Sequence, residues 1–152
     1  MKTNSKISLR KANFNDIEFL WYLRNQPDVY KYFKEDRPIS WKEHINWIIP
    51  IILGISPRDI FVIQKSDIPV GQIRFDYKTS DVSVSILKEF RGKNIATKAL
   101  TLTINEIKKQ KKVKNLVAEI HKKNLPSIKL FEKLGFKLKT KKGNWFKYIL
   151  EL

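Results

Sequence analysis

Hydrophobic and polar positions alternate with a period of two along Val82-Ser83-Val84-Ser85-Ile86-Leu87, the pattern of a strand. Beyond a basic turn, Ala96, Ala99, Leu100, Thr103, Ile104 and Ile107 recur at helical spacing. The same reading predicts an edge strand over Ile7–Lys11. A helix follows, capped by Asn13 or Asn15, with Ile17, Leu20, Trp21 and Leu23 on one face. Asn25-Gln26-Pro27 breaks it, and residues 28–33 form a short helical turn. Ser40-Trp41-Lys42-Glu43 reads as a capping box that opens a helix through Trp47 toward Pro50. Strands are expected over 60–64 and 70–77, joined by a turn at 65–69. Asn115–His121 reads as a further strand, and Asn124 as the cap of a helix with Pro126 in its first turn and Gly135 at its stop. Residues 137–140 and 145–150 close as a hairpin. This order predicts an α/β fold whose mixed, mostly antiparallel central sheet has about seven strands flanked by helices.

Composition narrows the class. A chain of 152 residues with 42% hydrophobic and 12% aromatic content is expected to fold as a single globular domain over 1–152. It contains no apolar run near the roughly 20 residues of a membrane span. Residues 1–6 are not followed by an apolar segment of signal-peptide length, so the cytoplasm is the expected compartment. With no cysteine, disulfides, thiolate metal sites and a Cys nucleophile are excluded, and no metal is expected. The net charge of +16 is uneven: residues 1–76 hold 12 basic and 9 acidic side chains, residues 77–152 hold 19 and 6. Such a surplus suits a polyanionic ligand, a nucleic acid, or simply solvated lysine faces.

Strand, basic turn and helix together aim free backbone N–H groups and a helix dipole at one point, where an anion belongs. That turn, Arg91-Gly92-Lys93-Asn94-Ile95-Ala96, resembles the coenzyme A pyrophosphate loop of the GNAT N-acetyltransferase superfamily, Gln/Arg-x-x-Gly-x-Gly/Ala. Asn94 stands where the central Gly is usual, and Asn tolerates positive φ better than most residues. A second stretch, Asn124-Leu125-Pro126-Ser127-Ile128-Lys129-Leu130-Phe131-Glu132-Lys133-Leu134-Gly135-Phe136, resembles the other signature of the superfamily. The resemblance implies acetyl-coenzyme A as cosubstrate. It places the coenzyme on Ile86, Leu87, Arg91, Gly92, Lys93, Asn94, Ile95, Ala96, Thr97, Asn124, Ser127 and Phe131.

It also implies chemistry. A backbone N–H at the end of the strand, from Ile86 or Leu87, would stabilise the oxyanion of the tetrahedral intermediate. Asn124 is either a plain helix cap or also a ligand of the coenzyme or substrate amide. Phe131 occupies the position where many relatives carry a Tyr that protonates the departing thiolate. Ser127, Tyr148 or a water would supply that proton here. For the base, His121 and Glu119 lie on a strand end near the second motif, with Glu35, His44 and water as alternatives.

Arg24-Asn25 with Ser40-Trp41-x-Glu43-His44-x-x-Trp47 resembles N-acetyltransferases that act on nucleotide-linked amino sugars in bacterial nonulosonic-acid and surface-glycan biosynthesis. The substrate residues this implies are Arg24, Asn25, His44, Gln72 and Arg74, with Arg24 or Arg74 holding a diphosphate. A protein amino terminus, as on a ribosomal protein, is the alternative acceptor. A basic nucleic-acid-binding module is a third reading, disfavoured because no aromatic-basic recognition motif is present. A monomer or a homodimer is expected.

Overall fold

Strand β1 (Ile7–Lys11) leads into a reciprocal cap. Asn13 Oδ1 accepts from Asn15 N–H at 2.9 Å, while Asp16 accepts from Asn13 N–H at 2.7 Å, so Asn13 rather than Asn15 is the cap. Helix α1 (Ile17–Arg24) and the single turn α2 (Pro27–Tyr30) follow. Ser40 opens α3 (Trp41–Ile52), its hydroxyl accepting from Glu43 N–H at 3.1 Å. Pro50 lies within the last turn of α3, and the helix outlasts it by only two residues. Then come β2 (Arg58–Lys65), β3 (Ile68–Asp76), β4 (Val82–Ile86), α4 (Ile95–Gln110), β5 (Asn115–His121), α5 (Leu125–Lys133), β6 (Lys137–Lys142) and β7 (Trp145–Glu151). This computed structural model describes residues 6–152. Residues 1–5, part of the stretch read as lacking a signal peptide, lie outside them.

The seven strands form two sheets rather than the one central sheet expected. Strands β1-β2-β3-β4 make an antiparallel sheet, and β5-β7-β6 a second. They touch at one parallel bridge, Asp81 to Val117. β4 pairs with β3 on one edge and β5 with β7 on one edge, and beyond the bridge the facing edges of β4 and β5 are not paired with each other.

Burial on both faces of the first sheet sets the layers. Ile60 and Val62 of β2 pack with Ile17 and Leu20 of α1 and with Ile48 and Ile51 of α3. On the main core side, Ile63, Ile73 and Phe75 cluster with Ala99, Leu100 and Ile107 of α4. Leu116, Phe131 and Phe136 belong to the same cluster, so one core runs beneath both sheets. Truncating Leu20 or Leu100, each at most 1% exposed, should cost about 2–5 kcal/mol. The exposed edge strand β6 carries lysines at four of its six positions, which discourages pairing with a second chain. No described helix is long and apolar enough to cross a membrane.

Candidate active site

The bridge at Asp81 is closed by Val117 N–H donating to Ser80 O at 2.9 Å. Beyond it β4 and β5 separate, and a cleft of about 980 Å³ opens. Backbone alternation decides which groups of β4 face it. Leu87 N–H donates to Val70 O at 2.9 Å, and Asp81 O accepts from Asp76 N–H at 2.9 Å. Odd positions of β4 therefore turn their polar groups to β3, and Val84 and Ile86 turn theirs to the open edge. Arg91 Nε–H donating to Ile86 O at 3.0 Å agrees with this parity. Leu87 is thereby removed as an oxyanion donor: its N–H is spent in the sheet, and its side chain packs with Leu23 and Val29. Ile86 N–H is the group left toward the cleft. Gly71, opposite Ile86, permits the close approach of the strands. A Cβ there would collide with Ser85 O and come within 2.8 Å of Ile86 Cδ1.

In the turn before α4, Gly92 has φ +75° and Asn94 φ +60°, so Asn94 does adopt the left-handed conformation that the usual Gly would. The backbone N–H groups of residues 92–97 make no hydrogen bond among the described residues. They lie at the positive end of a 16-residue helix, which makes the turn an anion nest. Gly92, Asn94, Ile95, Ala96 and Thr97 line the cleft. Lys93 does not; it is exposed, with its ammonium 5.8 Å from the Phe90 ring centroid. Arg91 borders the cleft and is partly exposed, but its guanidinium is engaged with the protein itself, against Ile86 O and 2.6 Å from Asp28 Oδ2. That ion pair is not aligned as a hydrogen bond, so Asp28 Oδ2 keeps no aligned donor. Arg91 braces the turn against α2 rather than presenting free charge to a phosphate.

Asn124 Oδ1 accepts from Ser127 N–H at 3.4 Å, the capping role, and both residues line the cleft. Phe131 is 2% exposed and stands edge-on to Phe136 at 5.0 Å. It belongs to the main core while bordering the cleft. Tyr148 is corrected as a proton source: it is buried away from the cleft and donates its hydroxyl to Glu132 at 3.2 Å. Burial, then that carboxylate, pushes its phenol above the usual range.

The two bases expected on β5 are both engaged. His121 Nδ1 accepts from Lys123 N–H at 3.1 Å, which assigns the proton of the neutral ring to Nε2 and makes the free nitrogen a donor. Its ring lies 5.7 Å from Tyr32 and 5.3 Å from Trp145. Glu119 is held by Lys34 at 2.8 Å. These contacts strap the segment after α2 across to β5. Glu35 also borders the cleft, 3.9 Å from Arg37. Sequence reasoning passed over Asp81, which lines the cleft and has no ion pair among the described residues. Burial pushes its pKa up, outweighing the Thr79 hydroxyl, and the charge of Glu119 adds to the rise. No local pattern marks it, because its surroundings come from β5.

On the opposite wall, Arg24 donates to the carbonyls of Arg37 at 2.9 Å and Glu35 at 3.0 Å and lies 4.8 Å over Phe33. Asn25 does not line the cleft. It binds the Ile39 backbone in both directions at 2.9 Å, and Trp21 Nε1–H donates to Ile39 O at 3.0 Å. Asn25 is therefore a structural pin for the loop before α3. His44 borders the cleft as a buried ring, 1% exposed, with Nε2 2.9 Å from Ile17 O. Burial holds it neutral. Gln72 and Arg74 face the cleft from β3, opposite Ser85 and Ser83 of β4.

Residues 6–137 match the family model described as an acetyltransferase (GNAT) domain. The chain belongs to the GNAT acetyltransferases. As a GNAT domain its class of reaction is N-acetyl transfer from acetyl-coenzyme A. It is 34% identical to an uncharacterized protein of Methanocaldococcus jannaschii, over 98% of this chain and 31% of that protein. It is 38% identical to an N-alpha-acetyltransferase of Saccharolobus solfataricus over 63 residues, 41% of this chain and 38% of that protein. This GNAT chain thus spans about a third of the length of the curated relatives it matches. The crystal structure of a domain from Methanocaldococcus jannaschii matches it with a TM-score of 0.84 at 30% identity, covering 97% of this chain and 99% of that one.

Proposed function

We propose that this GNAT domain acetylates the primary amine of a nucleotide-linked amino sugar in the cytoplasm, by direct attack in a ternary complex. The observation that carries the transfer chemistry is the parting of β4 from β5, which brings Ile86 N–H and the unpartnered N–H groups of Gly92 and of residues 94–97 to one cleft. The pantetheine arm takes the place of the missing strand along the open edge of β4, and the pyrophosphate sits on the nest before α4. Held in this way, the thioester carbonyl points its oxygen at Ile86 N–H. The amine attacks, the C–N bond forms, and the C–S bond breaks as the oxyanion collapses. A coenzyme thiol with a pKa near the roughly 8.5 of Cys needs only modest help to leave. Ser127, on the first turn of α5, or a water delivers that proton. The proton lost by the acceptor nitrogen passes through water to Asp81, which has no close ion pair among the described residues and whose pKa burial raises. Arg24, His44, Gln72 and Arg74 form the acceptor wall.

A peptide amino terminus is the second reading, favoured by the partial match to an N-alpha-acetyltransferase. The deciding experiment supplies acetyl-coenzyme A with either a UDP-linked amino sugar or a peptide with a free amino terminus, and reads acetylation by mass spectrometry. Acetylated sugar and unmodified peptide are expected. Acetylated peptide alone moves the acceptor to proteins. Absence of coenzyme binding by calorimetry removes the enzyme reading altogether and favours a basic binding module.

A further inference from the structure

Four arginines line the cleft, and three are satisfied inside the protein. Arg24 is bonded to two loop carbonyls, Arg58 Nε is 3.1 Å from Asp76 Oδ2, and Arg91 is paired with Asp28. Arg74 has neither a hydrogen bond nor an ion pair among the described residues. Its guanidinium lies 5.6 Å over the Trp47 ring, which covers a face and leaves the N–H edge open. Burial opposes its charge and Arg58 adds repulsion, while the carboxylates of Asp81 and Asp76 attract it from beyond ion-pair distance. A desolvated guanidinium with no ion pair or hydrogen bond is costly, and a bidentate oxyanion in direct contact is what relieves it.

Register supplies a ruler. Ile86 stands opposite Gly71, while Arg74, three residues along β3, stands opposite Ser83. Three strand residues measure on the order of 10 Å. We infer that the acceptor is an amine whose carboxylate or phosphate lies on the order of 10 Å from the reacting nitrogen, seated on Arg74 against Trp47 and Gln72. An α-amino acid is too short for this, and a polycation has the wrong charge. This deepens the acetyl-transfer reading and rests on it for the identity of the nitrogen.

The test reads binding apart from catalysis. Calorimetry on the full chain saturated with coenzyme A uses aminohexyl phosphate, aminohexanoate, glycine and hexylamine. At least one of the two long anionic amines should bind at least tenfold tighter than glycine and hexylamine. Arg74→Gln should remove that advantage, and Arg74→Lys should restore it only in part, because it keeps the charge without the planar fork. A phosphate preference identifies a phosphate-bearing acceptor and a carboxylate preference a carboxylate-bearing one, and either supports the inference. Equal affinity for all four amines, or an anion preference that survives Arg74→Gln in a folded protein, overturns it. Acetylation of hexylamine, measured separately, reports on the transfer reading alone. A chain that acetylates hexylamine without preferring anions therefore loses only this inference.

Discussion

Arg91 reaches back from the turn before α4 to Asp28 at 2.6 Å, tying that turn to the first residues of α2. The two halves of the cleft therefore share a strut. Its guanidinium is partly exposed, so the pair is a modest contributor to stability.

Removing that strut should loosen the turn more than it weakens phosphate binding. Arg91→Ala is expected to lower stability by about 1 kcal/mol and to raise the coenzyme dissociation constant by less than about tenfold. The backbone N–H groups remain in place. Asp28→Ala should produce the same loss, and the double variant little more, as a coupled pair requires. A much larger rise in the dissociation constant with unchanged melting temperature would return Arg91 to direct contact with the pyrophosphate.

Gly71 controls the position of Ile86. Because a Cβ at Gly71 meets Ser85 O and Ile86 Cδ1, Gly71→Ala should push β4 outward and cost about 1–3 kcal/mol. Turnover should fall with it, since the oxyanion donor moves, while coenzyme affinity set by the turn changes less. Thermal unfolding together with the kcat and Kd of the variant checks this. Unaltered turnover would show that Ile86 N–H is not the donor.

His44 gives the fold a pH dependence. Burial lowers its pKa, the Ile17 carbonyl pulls the other way, and the charge of Arg24 lowers it further. The unfolded chain, with a histidine pKa of about 6.5, therefore takes up a proton before the folded one does. Stability should be full above that pH and decline as pH falls toward the lower folded value. Melting curves of wild type and His44→Gln between about pH 5 and 8 should differ in slope, the variant being flatter. Parallel profiles would place the titration elsewhere.

Phe131 is packed as a core ring. At 2% exposure against Phe136 the ring is closely packed, and if the added hydroxyl finds no partner Phe131→Tyr should lose about 1–3 kcal/mol. Coenzyme A should not specifically rescue the melting temperature, and turnover should not rise. Near-native stability with faster turnover would mean that the new hydroxyl reaches the sulfur.

Local signals in the sequence determined most of the elements. Asn13 and Ser40 cap the turns that follow them, Asn124 opens α5, and Gly135 with φ +95° closes it. The alternation over residues 82–87 gave β4, and Asn94 gave the left-handed turn. Each of these rests on contacts within about four residues or on the φ that one residue type tolerates, so the sequence carries them directly. Tertiary structure alone decided the rest. Whether Ile86 or Leu87 faces the cleft depends on the register of β4 against Val70 and Gly71 of β3. Whether Asn25 binds substrate or pins a loop depends on Ile39, 14 residues away. The division into two sheets, the capture of Arg91 by Asp28 and the isolation of Arg74 likewise follow from which distant strands and helices meet. A side chain's charge is written in the sequence, but whether that charge is already neutralised is a property of its neighbours in space.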